Sequence, residues 1–168
     1  MVMFSSAGFK DSLRNVLDTG EFTCSMATWD LREAMNMSSA AVAPGVDEFA
    51  LAGLTPAASP YVRAPFVAEA PAALACQLWQ TLPLPPRREG EASSYTLVIG
   101  RVVGIHIRDE LLVDGLVPTA AWQPLARMGY MDFSVVTPAT TFTMNRPLAS
   151  ADGHSAHLQP GPWDGVYR

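Results

Sequence analysis

Between Ser5 and Ser12 the sequence runs Ser-Ser-Ala-Gly-Phe-Lys-Asp-Ser. Small hydroxyls, one glycine and one lysine in that order suit the holding of a small anion. A helix that starts there turns its unpaired backbone N–H groups, and the positive end of its dipole, toward such a ligand. Lys10 adds a full charge and Ser12 a hydroxyl donor, with Asp11 between them. The same residue types also serve plain helix capping, which is their commoner use. The second position with chemical capacity is His106, on a segment where Gly100 and Gly104 precede it at even spacing. Glycine inside a strand marks a bulge or the close approach of a ligand or backbone, so a flat ring fits there with the imidazole at its edge. The competing reading, a half-buried histidine bonded to a backbone carbonyl, is the one the residues by themselves favour.

Other polar groupings point to less. His154 and His157 lie three apart in a polar tail with no cysteine or acidic set beside them, which reads as solvent exposure rather than a metal site. Cys24 and Cys76 have neither the spacing of a metal knuckle nor that of a redox pair and read as reduced core thiols. Trp29, Trp79, Trp122 and Trp163 read as packing residues, and Arg87-Arg88 as a solvated turn. No Ser-His-Asp grouping supports a hydrolase.

The elements that must position these residues follow from periodicity. A strand at 2–6 leads through Gly8 into a helix over Asp11–Thr19, with Asp11 as its cap and Gly20 as its stop. A strand follows at 21–28. Asp30, with Glu33 three residues on, then caps a helix carrying Leu31, Ala34 and Met35 on its buried side. A helical turn at 46–51 closes at Gly53, and the Pro- and Ala-rich stretch 55–72 reads as extended. Two long strands at 73–82 and 95–108 flank the loop 83–93. On the second, Leu97, Ile99, Val103, Ile105 and Ile107 are predicted to share one face with Arg101. Val98, Gly100, Val102, Gly104 and His106 take the other. Apolar residues on both faces predict cover on both sides. A short helix at 119–126 and strands at 131–136 and 141–144 complete a mainly β, antiparallel domain over 1–147 with two or three short helices. Residues 148–168 read as a polar, partly flexible tail.

Composition narrows the function classes. The 168 residues are 49% hydrophobic and 16% charged, enough for one folded domain, and the net charge is −5. Scattered basic residues in an acidic chain exclude a polyanionic partner such as nucleic acid, while leaving room for one small anion. No apolar run has the length of a membrane helix and no secretory signal opens the chain, so a cytoplasmic protein is expected.

Four stretches, in order, carry a resemblance. Ser5 to Phe22, with Lys10-Asp11-Ser12 and Thr19-Gly20-Glu21-Phe22, is similar to the "KDT…N…TGEF" signature of the flavin reductase-like, FMN-binding split-barrel family. Ala34-Met35-Asn36 through Leu54-Thr55, Leu97 through Ile107, and Pro124 through Gly129 resemble the same family, over about residues 2–147. The resemblance implies an antiparallel Greek-key split barrel that forms a homodimer and holds FMN near the subunit interface. It implies Lys10 and Ser12 near the FMN phosphate, Ser12 standing where the family has threonine. Ser5 and Ser6 would run beside the cofactor, His106 would lie close to the flavin, and Asp11 and Arg127, within matched motifs, would complete the cofactor-binding set. It implies oxidoreductase activity, with electrons passing from NAD(P)H through FMN to a flavin or another acceptor and no side chain acting as a covalent catalyst. Segments resembling "RPIAWVST" and "N-x-APFS", which open family members, do not precede Met1, so the barrel is expected to lack its first strands. The alternative is a non-catalytic flavin-binding or structural dimerisation module.

Overall fold

The computed structural model describes residues 1–86, 88–91, 93–163 and 165. In chain order it forms β1 (Val2–Ala7), α1 (Asp11–Thr19), β2 (Glu21–Ser25), α2 (Arg32–Met37) and α3 (Glu48–Ala52). The two-residue strands β3 (Pro56–Ala57) and β4 (Phe66–Val67) precede the long strands β5 (Ala72–Pro83) and β6 (Tyr95–Ile107). Four short strands follow: β7 (Leu125–Arg127), β8 (Phe133–Val135), β9 (Leu148–Ala149) and β10 (Ala156–His157). Strands β1, β6, β5 and β2, in that order, make one antiparallel sheet curled into a half-barrel, with β2 at an edge. The mainly β architecture with three short helices is the expected one.

Helix α1 packs its apolar stripe into the curl. Leu13 and Val16 meet Phe22 of β2, Cys76 of β5 and Val98 of β6, all buried. Gly20 ends the helix in the left-handed region at φ 71°, its N–H bonded to the Val16 carbonyl, as a C-terminal glycine does.

Several local expectations need correction. Asp11 does not cap α1: Lys10 holds the cap position with no side-chain cap bond, and the Asp11 carboxylate instead pairs with Arg14 at 2.9 Å and accepts the Gly45 N–H at 3.2 Å. Asp30 does not cap α2, which starts at Arg32 after Leu31 with no side-chain cap. The aspartate that does cap is Asp47, which accepts the Phe49 N–H of α3 at 2.9 Å. The strand at 21–28 stops at Ser25 because the chain turns away, keeping one isolated bridge between Thr28 and Pro124. Residues 119–122 form turns bonded to Pro118 and Thr119 carbonyls rather than a helix, and the chain enters β7 at Leu125. The strand at 131–136 shortens to β8, and 141–144 lies outside any strand. In the tail β9 and β10 pair as a small hairpin. Arg88 is exposed, while Arg87 and the tail residues 164 and 166–168 lie outside the described residues.

The largest correction concerns faces. The register of β5 on β6 shifts between Ala75↔Gly104 and Cys76↔Val102, leaving Val103 as an extra residue. A one-residue bulge reverses which side each later residue faces. Gly100 and Val102 therefore look into the core with Cys76, whereas Gly104 and His106 look out of the opposite face with Ala75 and Ala73. Cover on both sides is also incomplete, since Ile105 is 60% exposed.

Cys24 and Cys76 are both free, Cys76 with no exposed surface. Burial first, and the neighbouring Cys24 second, push the Cys76 thiol up from 9.0 to about 11. The folded chain thus keeps a proton that the unfolded chain releases near 9.0, so stability is full below that pH and falls as pH rises toward about 11. Urea unfolding at stepped alkaline pH should show this decline, and Cys76→Ala should reduce it, leaving the smaller part due to Cys24, whose thiol burial also pushes up.

Candidate functional site

The strand-to-helix turn after β1 is held by Ser6, which is buried and donates its hydroxyl to the Gly8 carbonyl at 2.9 Å. Gly8 takes φ 78° there, a conformation glycine adopts without strain, and its N–H bonds to the Ser94 carbonyl at 2.7 Å. Helix α1 then begins with the Arg14 N–H on the Lys10 carbonyl at 3.0 Å. No side chain caps its first turn. The Lys10 amine and the Ser12 hydroxyl have no hydrogen-bond or ion-pair partner among the described residues.

Ser12 opens into a cleft of about 350 Å³ along the β2 edge. Three further hydroxyls line it, and each is already committed. Thr23 donates to the Pro65 carbonyl at 2.6 Å, Ser25 accepts the Val67 N–H at 3.0 Å, and Ser38 donates to the Met35 carbonyl at 2.8 Å. Thr23 and Ser38 have thus spent their donors and Ser25 its acceptor, whereas Ser12 has no partner among the described residues. Phe49, Leu54 and Phe66 give the cleft an apolar side, and Glu48 brings one carboxylate. A smaller cavity of about 170 Å³, walled by Met26, Leu31 and Met35, continues it past Ser25, Ser38 and Leu54.

The outer wall is a strap, residues 61–67, stitched to one face of β2. The Glu21 carboxylate accepts the Arg63 N–H at 2.9 Å, and with the Thr23 and Ser25 bonds this uses alternate side chains of a single strand. Farther along the same loop, both oxygens of Glu69 take the Thr55 N–H at 3.0 and 3.2 Å, which holds the Glu69 carboxyl below its ordinary range.

His106 reaches this region by pairing. Ser25 opposes Ala73, and Ala73 opposes His106, so all three share the strap face. The imidazole stands 4.5 Å from the Phe66 ring, which is buried and lines the cleft, while His106 itself is not a lining residue. The glycines expected to admit a flat ligand ring instead admit the chain's own rings. A Cβ on Gly100 would lie 2.4 Å from Phe22 Cζ, and one on Gly104 would lie 2.1 Å from Tyr61 Cδ2.

Ser12, Ser25, Phe66 and His106 are therefore neighbours. Ser5 is exposed and pairs with Leu97, while Ser6 pairs with Thr96. These positions lie about 30 Å of strand from His106, at ~3.3 Å per residue. Arg127 lies in a separate depression beside Trp29 and Arg32. Phe66 and the β2 hydroxyls were not legible as site residues, because what marks them is contact across 40 residues of chain for Phe66 and 42 for Thr23 and Ser25. Among the described residues, no group of three or more His, Cys, Asp or Glu side chains is placed to hold a metal, and no helix is long and apolar enough to cross a membrane.

The sequence model of the family described as "Flavin reductase like domain" matches residues 1–123. An uncharacterized protein of Halalkalibacterium halodurans is 32% identical over 141 residues, which is 84% of this chain and 66% of that protein. One of Deinococcus radiodurans is 35% identical over 123 residues, 71% of this chain and 51% of its own length. The chain thus spans about half to two thirds of the length of the curated relatives it matches. Among solved structures, component B of nitrilotriacetate monooxygenase from Bacillus cereus superposes with a TM-score of 0.75 at 28% identity, over 84% of this chain and 70% of that one. Flavoredoxin of Desulfovibrio vulgaris (Miyazaki F) shares the fold, with a TM-score of 0.65 at 21% identity over 90% and 75% of the two chains. So does a split-barrel protein of Shewanella frigidimarina, with a TM-score of 0.65 at 23% identity over 83% and 65%.

Proposed function

This chain belongs to the flavin reductase-like domain family, and from that premise we propose that it is an FMN-binding flavoprotein of the flavin reductase type. Electrons would pass from NADH or NADPH to a second flavin or another acceptor. The observation that carries the reading is the start of α1, where uncapped backbone N–H groups, the Lys10 amine and the Ser12 hydroxyl all lack partners beside an open cleft. Such a donor set suits a phosphate. The cleft volume of about 350 Å³ falls in the range of small-molecule sites, roughly 300–1,000 Å³. Its apolar wall suits a ring system.

In this reading Lys10, Ser12 and the first turn of α1 hold the phosphate. Asp11 fixes that turn through Arg14 and the Gly45 N–H. Ser6 keeps the preceding turn closed, and Ser5 lies beside it at the strand end. His106 backs Phe66, keeping that ring against the cleft and water away from it. Bound flavin supplies hydride acceptance and electron delivery, chemistry that no side chain here provides. The redox roles of the monooxygenase component and the flavoredoxin are in keeping with this reading. The working form we propose is a cytoplasmic homodimer, its contact supplied by apolar residues such as Met3, Trp79 and Ile105 that the single chain leaves exposed.

A second reading, a flavin-binding or dimerisation module without turnover, is favoured by the rings of Phe22 and Tyr61 over both β6 glycines. Titration with FMN, gel filtration and then an NAD(P)H oxidation assay separate the readings. Retained flavin with turnover supports the reductase, and retained flavin without turnover supports the module. A folded chain that retains no FMN overturns flavin binding altogether.

A further inference from the structure

A second depression, of about 410 Å³, lies between α2 and the β7–β8 hairpin, with one arginine on each wall. Arg32 lies 4.1 Å above the Trp29 ring and Arg127 4.6 Å above the Phe133 ring. Stacking of this kind holds the planar guanidinium fork flat, and Arg32 Nη2 and Arg127 Nη1 keep donors beyond those bonded to protein. The two walls are tied by backbone bonds: Trp29 N–H to the Gln123 carbonyl at 2.9 Å and Leu125 N–H to the Ala27 carbonyl at 3.0 Å, around the Thr28–Pro124 bridge. Arg127 also donates to the Tyr130 carbonyl, which pins the hairpin turn, and lies 3.6 Å from Met131 Sδ.

The charges here do not balance locally. Arg127 has no carboxylate partner among the described residues. Arg32 has only the adjacent Glu33 at 3.5 Å, whose side chain is 83% exposed, besides the Trp29 carbonyl it bonds at 2.8 Å. Two arginines and one exposed carboxylate, that of Glu33, line the depression, so its lining carries a net positive charge in a chain of net charge −5. Met35 and Leu125 make the surface between them apolar.

We propose that this depression binds a planar aromatic anion, a flat ring bearing a carboxylate or a phosphate. Arg32 and Arg127 take the anionic group from two sides, and the ring packs on Met35, Leu125 and Phe133. The site shares neither Lys10 nor Ser12 and does not rest on the flavin reading. An aromatic carboxylic acid and a nucleoside monophosphate both present this chemistry.

The test uses the full chain without added flavin and two probes, 2-aminobenzoate, read by its own fluorescence, and AMP as competitor. Saturable binding of either probe is expected, the tighter one identifying the source. Arg127→Met and, separately, Arg32→Met each weaken it about tenfold or more, Arg127→Lys restores only part of it, and uncharged benzamide binds neither chain. FMN retention by Arg127→Met stays at the level of the unaltered chain. The proposal is overturned by a folded chain that binds neither probe, by equal binding in both arginine variants, or by benzamide binding as well as 2-aminobenzoate. Loss of FMN on Arg127→Met would also overturn it, since the depression would then belong to the flavin.

Discussion

Replacing Lys10 with methionine and Ser12 with alanine in one chain is expected to weaken FMN binding about a hundredfold and to leave riboflavin binding within about threefold. The magnitude comes from two contacts. A hydrogen bond to a charged group contributes about 1.5–3 kcal/mol and a neutral one about 1 kcal/mol. Because Lys10 is exposed, the lower end of its range applies. The sum is about 2.5 kcal/mol, close to two powers of ten. Riboflavin is the control, as it carries the same ring without the phosphate. Parallel weakening of both ligands would place these residues at the ring or show that α1 has shifted. No weakening of either would remove the start of α1 from the site. Circular dichroism on the variant keeps the outcomes apart, since neither side chain supports the fold through any bond among the described residues.

Gly100→Ala is expected to cost about 1–3 kcal/mol of stability, the usual range for overpacking a filled core. For a chain of this size that lowers the melting temperature by roughly 2–4 °C per kcal/mol. The new Cβ would stand 2.4 and 2.6 Å from two atoms of the Phe22 ring and 3.4 Å from Cys76 Cβ. Phe22 cannot swing aside, since it is 8% exposed and met edge-on by Phe4 at 5.5 Å. Gly104→Ala makes the instructive contrast. Its Cβ comes still closer to an aromatic ring, at 2.1 Å, but Tyr61 is 53% exposed and has solvent to turn into. It should cost less than 1 kcal/mol, near the level of ordinary surface changes. Urea unfolding of both variants checks the pair, with Phe22→Leu as the second-site change that should relieve Gly100→Ala alone. Equal destabilisation by the two substitutions would contradict the assignment of the rings.

What could be read from the sequence divides along physical lines. Helix α1 was legible to the residue because an apolar stripe and a left-handed glycine are local signals. The alternation of β6 was legible only as far as Val103, since a bulge is a relation between two strands and leaves no mark on one. That single residue separates Gly100 from Gly104 and His106, which periodicity had put together. Asp11 and Asp30 looked like caps because they precede apolar runs. Their backbones sit elsewhere, and Asp47 took the role with a better-placed carboxylate. At the site, Lys10 and Ser12 stood out by residue type and position, with ordinary helix capping as the commoner reading of the same residues. The Phe66 ring against His106 depends on contact across 40 positions, and no local pattern announces it.

The stitching of the strap to β2 also bears on how such a domain changes over generations. The backbone of β2 is committed to β5, whereas the strap hangs from the Glu21, Thr23 and Ser25 side chains. Substitutions at these three positions re-hang the strap and reshape the cleft while the ladder, and with it the barrel, stays registered. Architecture and the shape of the cleft are thus encoded in different atoms of the same five residues, so point changes in three side chains can alter the cleft while the backbone ladder is kept.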